Sequence, residues 1–213
     1  MSFSDVELIK PFGPRIGHFK LKNNIVEKFI KLTDDIIEDN NSESNANRLA
    51  GQLETELSIP TKKLIEADLY DLFSDIMRKY VIQTITSISG TDDRAVNVFM
   101  TEMWVNSQFK NEYNPAHYHP SCTLSSVFYL KVPDFKKRKV HNESKKENTD
   151  GRIFFANNAC GESDKYLEKG TTTIQPSVGD LFIWPSRLIH GVYPFSSAGE
   201  RRSVAFNGVH NFY

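Results

Sequence analysis

The sequence lacks several features that mark large protein classes. It contains only two cysteines among 213 residues, Cys122 and Cys160, and they do not have CxxC spacing. Two thiols cannot build a disulfide framework, so we predict free, buried or half-buried side chains and a reducing, cytoplasmic location. No apolar run approaches the roughly 20 residues of a membrane span. The N-terminus has no basic segment followed by an apolar one, so neither a signal peptide nor membrane attachment is expected.

Charge of neither sign is in excess, and the formal net charge is −1. This balance gives no indication of a nucleic-acid-binding protein or of an acidic disordered chain. One basic cluster lies within residues 134–150, but it lacks the interleaved aromatic side chains that stack on bases. We therefore predict a solvated loop at 134–150, and we hypothesise from its length that it acts as a lid over a site.

Two kinds of periodicity divide the chain near residue 92. Apolar side chains recur at helical spacing in 23–38 and 61–86, and the polar segment 39–60 between them is predicted to be a surface loop. We expect one domain over residues 1–213, with 1–92 as a helical support and 93–213 as a β core. The predicted strands are 95–109, 123–132, 152–156, 171–174, 181–184, 188–193 and 202–209. So many short strands favour a sandwich or jelly roll, and hence a mainly β, α+β fold with N-terminal helices.

Two histidines separated by a single residue, His117 and His119, lie just before a segment that alternates polar and apolar residues. Side chains two apart in an extended segment point to the same face, so the two imidazoles can chelate one metal ion. Such a pair also arises by chance, and a metal site needs a third ligand. His190 is the candidate, because a jelly roll brings together strands that are distant in sequence. The remaining histidines have no partner at ligand spacing and are not expected to bind metal: His18, His141 and His210.

The last predicted strand places an arginine on a polar face. The side chains that alternate onto this face are Arg201, Ser203, Ala205 and Asn207. Burying an unpaired guanidinium is costly, and the fork of Arg201 matches a carboxylate. Tyr129 and Thr123 add hydroxyl groups to the same cavity. A 2-oxo acid such as 2-oxoglutarate would bind the metal through one end and reach Arg201 with its far carboxylate.

Five segments of the chain together resemble the 2-oxoglutarate- and iron(II)-dependent oxygenase superfamily. They are WVN (104–106), HYHPSCTLSSVFYL (117–130), GRIFF (151–155), PSVGDLFIWPSRLIHGVYP (176–194) and ERRSVAFN (200–207). The resemblance is closest to a group with an HxH motif found in bacteria and phages. It implies a double-stranded β-helix that uses Fe(II), 2-oxoglutarate and O2 to oxidise a substrate, with hydroxylation as the default outcome.

The resemblance also implies roles for individual residues. Metal binding is assigned to His117 and His190. The residues that it assigns to 2-oxoglutarate are Arg201, Ser203, Tyr129 and Asn106. The superfamily pattern is H-x-D/E with a distant histidine, whereas this chain has His119 in the middle position. We predict that His119 is the third metal ligand of a catalytic three-histidine site; the alternative is that it points away and water takes its place.

The wider cavity and the substrate are less defined by the sequence. Thr123, Asn207 and Trp104 are predicted to line the substrate cavity. The substrate is a small molecule or a peptide of unknown identity, and the oligomeric state is left open, so an oligomer is compatible with the sequence. Two alternatives stand beside the oxygenase: a cupin-like three-histidine metalloenzyme that does not use 2-oxoglutarate, and a non-catalytic jelly-roll binding module.

Overall fold

The computed structural model of the chain describes residues 7–9, 13–89, 96–135, 148–157 and 170–212. Within these ranges eleven strands form two antiparallel sheets, and three helices lie in the N-terminal part. The structure is therefore mainly β with N-terminal helices, and the predicted jelly-roll fold class is confirmed. Most of the predicted charged loop at 134–150 falls outside the described residues, as do Cys160 and His141.

The three helices follow the predicted periodicity, with one difference. Their bounds are α1 Asn23–Glu38, α2 Thr61–Glu66 and α3 Tyr70–Ser89. In α1 the buried side chains recur three and four residues apart, and they are Ile25, Val26, Phe29, Leu32, Thr33 and Ile36. The helical spacing over 61–86 is divided between two helices, because the chain turns between α2 and α3, where Asp68 adopts a positive φ of 54°.

The strands form a seven-stranded and a four-stranded sheet. Their bounds are β1 Glu7–Ile9, β2 Ile16–Lys20, β3 Thr55–Ser58, β4 Val96–Gln108, β5 Asn114–His117, β6 Leu124–Lys131, β7 Ile153–Ala156, β8 Thr171–Ile174, β9 Asp180–Pro185, β10 Ile189–Val192 and β11 Arg201–Phe212. The larger sheet has the order β1-β2-β9-β6-β11-β4-β3, and the smaller has the order β5-β10-β7-β8. Neighbours in both sheets are thus largely distant in sequence, as expected for a jelly roll.

The N-terminal part contributes more than helices. Strands β1, β2 and β3 all lie within residues 1–92, and all three join the larger sheet. The predicted surface loop at 39–60 is wrong at its end, because β3 pairs with β4 along its whole length, from Thr55 opposite Ser107 to Ser58 opposite Trp104. This strand forms one edge of the larger sheet and becomes part of the site described below.

The two faces of the larger sheet bury different sets of side chains. The outer face packs on the helices, where Phe29 and Phe73 meet Phe128 of β6 and Phe206 of β11 with ring centroids 4.9–6.1 Å apart. Residues next to these in sequence point to the opposite face. That inner face and the smaller sheet share a second cluster: Ile16, Val127, Tyr129, Ile153, Phe155, Phe182, Trp184 and Leu188. The space between the two sheets holds the candidate site.

In the described ranges of the chain, no helix combines the length and the apolar character that crossing a membrane requires.

Candidate metal centre and cavity

Three histidines converge at one end of the space between the sheets. His190 lies on β10 directly opposite His117 at the end of β5, since the two are partners in the antiparallel register. His119 follows two residues after the end of β5, and its backbone N–H donates to the carbonyl of Ser186. The nitrogens that the three rings offer all lie within 4.8 Å of one another. Three imidazoles so close together can bind a single metal ion.

The strand geometry that predicted this cluster applies to only part of it. The HxH argument placed both histidines on one extended strand, whereas β5 ends at His117 and His119 lies in the following loop. The ring of His119 nevertheless approaches the other two, with its centroid 5.0 Å from that of His117 and 5.2 Å from that of His190. Convergence therefore depends on the loop after β5 as well as on the strand.

Hydrogen bonds fix two of the three rings. The Nδ1 atoms of His117 and His190 lie 2.8 Å from the carbonyl oxygens of Pro115 and Leu188. A carbonyl only accepts, so both Nδ1 atoms carry the proton and both Nε2 atoms keep a free lone pair. In metal-binding histidines, the ring nitrogen that does not bind the metal commonly donates such a hydrogen bond, which fixes the orientation of the ring. These two rings are therefore held ready to bind metal through Nε2.

His119 has a different environment. Its Nδ1 lies 3.4 Å from the amide nitrogen of Asn207, which is long for a hydrogen bond. The amide of Asn207 is oriented by its other contacts, because its oxygen accepts from Ser125 and its nitrogen donates to Glu102. Asn207 thus presents an N–H to Nδ1 of His119. It does not favour a proton on that Nδ1, which is where the other two rings carry theirs. His119 is the least firmly oriented member of the cluster.

All three imidazoles are kept neutral by their surroundings. Burial lowers the pKa of His117, and it lowers the pKa of His190 well below the ordinary value. Burial, together with the nearby His117, lowers the pKa of His119 to about 4. A neutral imidazole is the form that binds metal, since protonation removes the lone pair. The cluster is therefore in its metal-binding form at neutral pH.

Arg201 places a buried guanidinium in the same cavity. Its side chain is 2% exposed, and it donates to Oε1 of Gln108 at 3.0 Å and to the hydroxyl of Tyr129 at 3.1 Å. Its Nε has no hydrogen-bond partner, and none of the ion pairs among the described residues includes it. Burial lowers the pKa of Arg201. A buried cation with only neutral partners leaves room for an anion.

The neighbouring residue shows that this arrangement is specific to the inner face. Arg202 points to the outer face, where it donates to Glu200 and Asp34 and to the hydroxyl of Thr33. Strand alternation thus separates one arginine that is paired with carboxylates from one that is not. The predicted inward face of β11 is observed, because Arg201, Ser203, Ala205 and Asn207 all line the cavity.

The cavity together with the open solvent at its mouth spans about 550 Å³. It contains all but one of the residues that the sequence assigned to metal, 2-oxoglutarate or substrate: His117, His119, His190, Arg201, Ser203, Tyr129, Asn106, Asn207 and Trp104. Thr123 is the exception, because it is not among the residues that line this cavity. Its hydroxyl lies 2.8 Å from Nδ1 of His210 and contacts the carbonyl of Gly208.

The residues set aside by the sequence lie elsewhere. His18 contacts Asp180 at 3.1 Å and stacks on Phe182, and His210 contacts Thr123. Cys122 is a half-buried free thiol. None of these side chains lines the cavity.

Sequence reasoning missed a carboxyl group in the cavity. Glu56 on β3 lines it and is only 1% exposed. Burial, with a smaller contribution from Glu112, raises the pKa of Glu56 to about 7. The alternation in TELSIP, with Leu57 and Ile59 on one side and Glu56 and Ser58 on the other, was the available signal. It was too short to be separated from the polar segment before it.

Four buried polar atoms in this cavity have no hydrogen-bond partner. They are Nε of Arg201, Nε1 of Trp184, Oδ1 of Asn106 and Oε2 of Glu56. Buried polar groups normally have partners, so their concentration in one cavity indicates a binding site for polar ligands. Arg201 and Trp184 offer donors, whereas Glu56 offers an acceptor. Asn106 has an amide that can serve either kind of ligand group.

Residues 102–207, about half of the chain, match the model of a family described as "Putative 2OG-Fe(II) oxygenase". The chain belongs to the 2OG-Fe(II) oxygenase family. Members of this family use Fe(II), 2-oxoglutarate and O2, so the resemblance and the cofactor prediction are both confirmed. The oxygenase also has residues that fit these groups, because imidazole nitrogens suit iron and the unpaired Arg201 suits a carboxylate. No curated protein matches the sequence.

Solved structures share the fold of this oxygenase at low sequence identity. A prolyl hydroxylase from Trichoplax adhaerens, in complex with a hypoxia-inducible-factor peptide fragment, has a TM-score of 0.55 at 12% identity, covering 98% of this chain and 83% of that one. A Pseudomonas putida prolyl-4-hydroxylase has a TM-score of 0.53 at 14% identity, covering 90% and 91%.

A third structure extends the range of ligands. HygX from Streptomyces hygroscopicus, with nickel, 2-oxoglutarate and hygromycin B bound, has a TM-score of 0.51 at 10% identity, covering 91% of this chain and 82% of that one. At these identities the structures share a fold with the oxygenase, and a fold does not choose a substrate.

Proposed function

We propose that this oxygenase is a hydroxylase that couples the oxidative decarboxylation of 2-oxoglutarate to oxidation of a substrate. His117, His119 and His190 would hold Fe(II), which, when bound, supplies the activation of O2. Arg201 would bind the far carboxylate of 2-oxoglutarate. The observation that carries the proposal is the presence, in one cavity, of three converging imidazoles and a buried guanidinium without an acidic partner.

The residues around Arg201 support a role in holding a dicarboxylate. Gln108 and Tyr129 each accept one hydrogen bond from the guanidinium, and the centroid of the Tyr129 ring lies 4.8 Å from the guanidinium carbon. These contacts fix the fork while leaving Nε unpaired. Ser203 lies opposite Tyr129 in the strand register, so their two hydroxyls would supply further donors to the same carboxylate.

The protein side of the proposed chemistry is binding, orientation and exclusion of water. The cluster of neutral imidazoles would bind the metal without adding a negative charge, in contrast to sites with a carboxylate ligand. Trp184 and Phe155 pack close to His190, with ring centroids 4.8 and 6.4 Å away. These aromatic side chains shield one side of the cluster and would keep the reacting groups out of bulk water.

Anaerobic binding followed by turnover tests the proposal. The metal-free protein is titrated with Fe(II), then with 2-oxoglutarate, and succinate release is measured on admitting O2. We expect one iron per chain, binding of 2-oxoglutarate only to the metal-loaded form, and succinate formation. Iron binding without any 2-oxoglutarate binding would favour the cupin-like alternative, and no metal binding would favour the non-catalytic module.

The ligand role of His119 needs its own variant. We expect His119→Ala to weaken iron binding by roughly tenfold or more, a loss of about 1.4 kcal/mol or more, and to a smaller extent than His117→Ala, whose ring is oriented by Pro115. Thermal unfolding of the metal-free variants controls for misfolding. Unchanged iron affinity in His119→Ala would mean that a water takes this position.

A further inference from the structure

Glu56 is a buried carboxyl group that the proposed chemistry does not use. It lies on the edge strand β3, lines the cavity and is 1% exposed. Its Oε2 has no hydrogen-bond partner, and none of the ion pairs found in the described ranges includes it. A buried carboxyl without a partner is costly in the same way as a buried guanidinium without one. The carboxyl group therefore indicates a ligand group that donates hydrogen bonds or carries a positive charge.

The position of Glu56 separates it from Ser203 and Tyr129, which are proposed to bind the far carboxylate of 2-oxoglutarate. Glu56 lies opposite Asn106 on β4, Asn106 lies opposite Ser203 on β11, and Ser203 lies opposite Tyr129 on β6. These four residues form one row across the inner face. Neighbouring strands are about 4.8 Å apart, so Glu56 is roughly 10 Å from Ser203 along the row. The end of the cavity that accepts hydrogen bonds, at Glu56, is thus distinct from the end that donates them, at Ser203 and Tyr129.

The residues beside Glu56 are small or aliphatic. A Cβ at Gly51 would lie 2.2 Å from Oε1 of Glu56, so a larger residue at position 51 would require the Glu56 side chain to shift. The adjoining Leu49 and Ala50 line the same cavity. A carboxyl beside aliphatic side chains suits a ligand with a polar cationic end and a methylene chain.

We propose that Glu56 is a specificity-determining residue whose carboxylate binds an ammonium or guanidinium group at the end of an aliphatic chain of the substrate. This inference rests on the proposed function, because the metal and 2-oxoglutarate would occupy the histidine and Arg201 side of the cavity. A neutral hydrogen-bond donor on the substrate would bind equally well to a glutamine at position 56. A cationic group would instead bind more tightly to the ionised carboxylate of Glu56. The raised pKa of Glu56 agrees with a carboxylate that lacks its counter-ion.

Small alkyl probes of similar size and different charge test this preference. The protein is loaded with Ni(II), which replaces iron and prevents turnover, and with 2-oxoglutarate. Butylammonium, butanol and butyrate are then titrated and their binding is followed by NMR. We expect the wild type to bind butylammonium roughly tenfold more tightly than butanol, the range of a hydrogen bond to a charged group, and to bind butyrate more weakly than either.

Two variants separate the carboxylate from its surroundings. Glu56→Gln keeps the shape and removes the charge, and we expect the affinities for butylammonium and butanol to come within about twofold of each other. Glu54→Gln is the matched control, since Glu54 is exposed and does not line the cavity, and it should keep the tenfold preference. No preference in the wild type, or a preference retained in Glu56→Gln, would overturn the inference.

The wild type alone gives a second reading if Glu56→Gln does not fold. Butylammonium binding should strengthen between pH 6 and 8 as Glu56 ionises, and butanol binding should not. Other titratable groups that face the cavity are His117, His119, His190, Tyr129 and Arg201, and Glu112 acts on Glu56 from nearby. Burial lowers the pKa of the three histidines and raises the pKa of Tyr129, and Arg201 stays charged, so the change expected between pH 6 and 8 belongs to Glu56. A flat profile for butylammonium would count against Glu56.

The same experiment distinguishes the two proposals. If 2-oxoglutarate does not bind, the proposed function fails, and the probes are then titrated against the Ni(II)-loaded protein alone, where a charge preference still tests Glu56. If 2-oxoglutarate binds and the preference is absent, only the inference about Glu56 fails. With Fe(II) and O2, alkylamines and lysine-containing peptides should stimulate succinate release by the wild type more than by Glu56→Gln.

Discussion

At the scale of single residues, the site is defined by buried charges that lack partners. Arg201 and Arg202 are neighbours in sequence, yet only Arg202 is paired with carboxylates. Arg201 has a neutral hydrogen-bond shell and an unpaired Nε inside a cavity. A charge kept in this state costs stability, and binding of an anion would compensate for that cost. Its replacement should therefore affect ligand binding more than folding.

We expect Arg201→Gln to weaken 2-oxoglutarate binding to the Ni(II)-loaded protein by roughly 10- to 100-fold, because hydrogen bonds to a charged group contribute about 1.5–3 kcal/mol. Calorimetry measures this change, and nickel affinity should stay the same. Arg78→Gln is the matched control, because Arg78 lies on the exposed side of α3 and pairs only with Asp75 among the described residues. Equal 2-oxoglutarate affinity in wild type and Arg201→Gln would rule out the proposed anchor.

Glu56 should make the stability of the ligand-free protein depend on pH. Its pKa is raised from 4.5 to about 7 on folding, so between these values the folded state holds a proton that the unfolded state has lost. Stability must then fall as pH rises through this window. Relative to Glu56→Gln, the wild type should lose about 2–3 kcal/mol of unfolding free energy between pH 5 and pH 8. Urea unfolding at the two pH values measures it, and a parallel response of the two proteins would contradict the assignment.

At the scale of elements, β10 positions the metal cluster. It lies between β5 and β7, and its pairing with β5 places His190 directly opposite His117. Gly191 allows this close packing, since a Cβ there would lie 2.8 Å from the backbone oxygen of Asn114 and 2.5 Å from the ring of Phe154. A ring can rotate away, whereas the backbone of β5 cannot move without taking His117 with it.

We therefore expect Gly191→Ala to displace β5, to destabilise the fold by about 1–3 kcal/mol and to weaken metal binding. Urea unfolding and a nickel titration measure the two effects. Gly13→Ala is the control substitution, because a Cβ at Gly13 would have no heavy atom within 4 Å. Nickel affinity equal to that of the wild type would show that the His117–His190 alignment tolerates movement of β5.

Local patterns in the sequence were sufficient where an element is long and regular. The alternation in β11 predicted which of its side chains point inward, and the apolar spacing predicted α1 within the same bounds. Strand β3 was missed, because its four residues give too little alternation to be recognised within a polar segment. Glu56 was lost with that strand. The turn at Asp68 was missed because apolar spacing continues from α2 into α3.

At the scale of the whole molecule, the site is assembled by pairing between distant segments. The histidines come from the smaller sheet and the loop after β5, Arg201 comes from an interior strand of the larger sheet, and Glu56 comes from its edge. Sequence motifs predicted the first two groups because their residue types are chemically distinctive. The neighbourhood of Glu56 and Asn106 depends on the β3–β4 register, which no local pattern in the sequence specifies.

Because the cavity lies between the two sheets, ligands that bind there should stabilise the whole fold. A ligand at 100 times its dissociation constant adds about 2.7 kcal/mol, which raises the midpoint of a protein of this size by about 5–10 °C. We expect this shift when 2-oxoglutarate is added to the Ni(II)-loaded protein, measured by differential scanning calorimetry. Without metal the shift should be much smaller, since the keto acid loses its contact with the histidine-bound ion.

Two analogues at the same concentration separate the two ends of the ligand. 2-Oxobutyrate keeps the keto acid but lacks the far carboxylate, and glutarate keeps both carboxylates but lacks the keto group. Each should raise the midpoint less than 2-oxoglutarate, and Arg201→Gln should reduce the 2-oxoglutarate shift to that of 2-oxobutyrate. An equal shift for 2-oxobutyrate and 2-oxoglutarate in the wild type would mean that Arg201 does not bind the far carboxylate. The cavity would then hold a three-histidine metal centre that has no specific need for a five-carbon diacid.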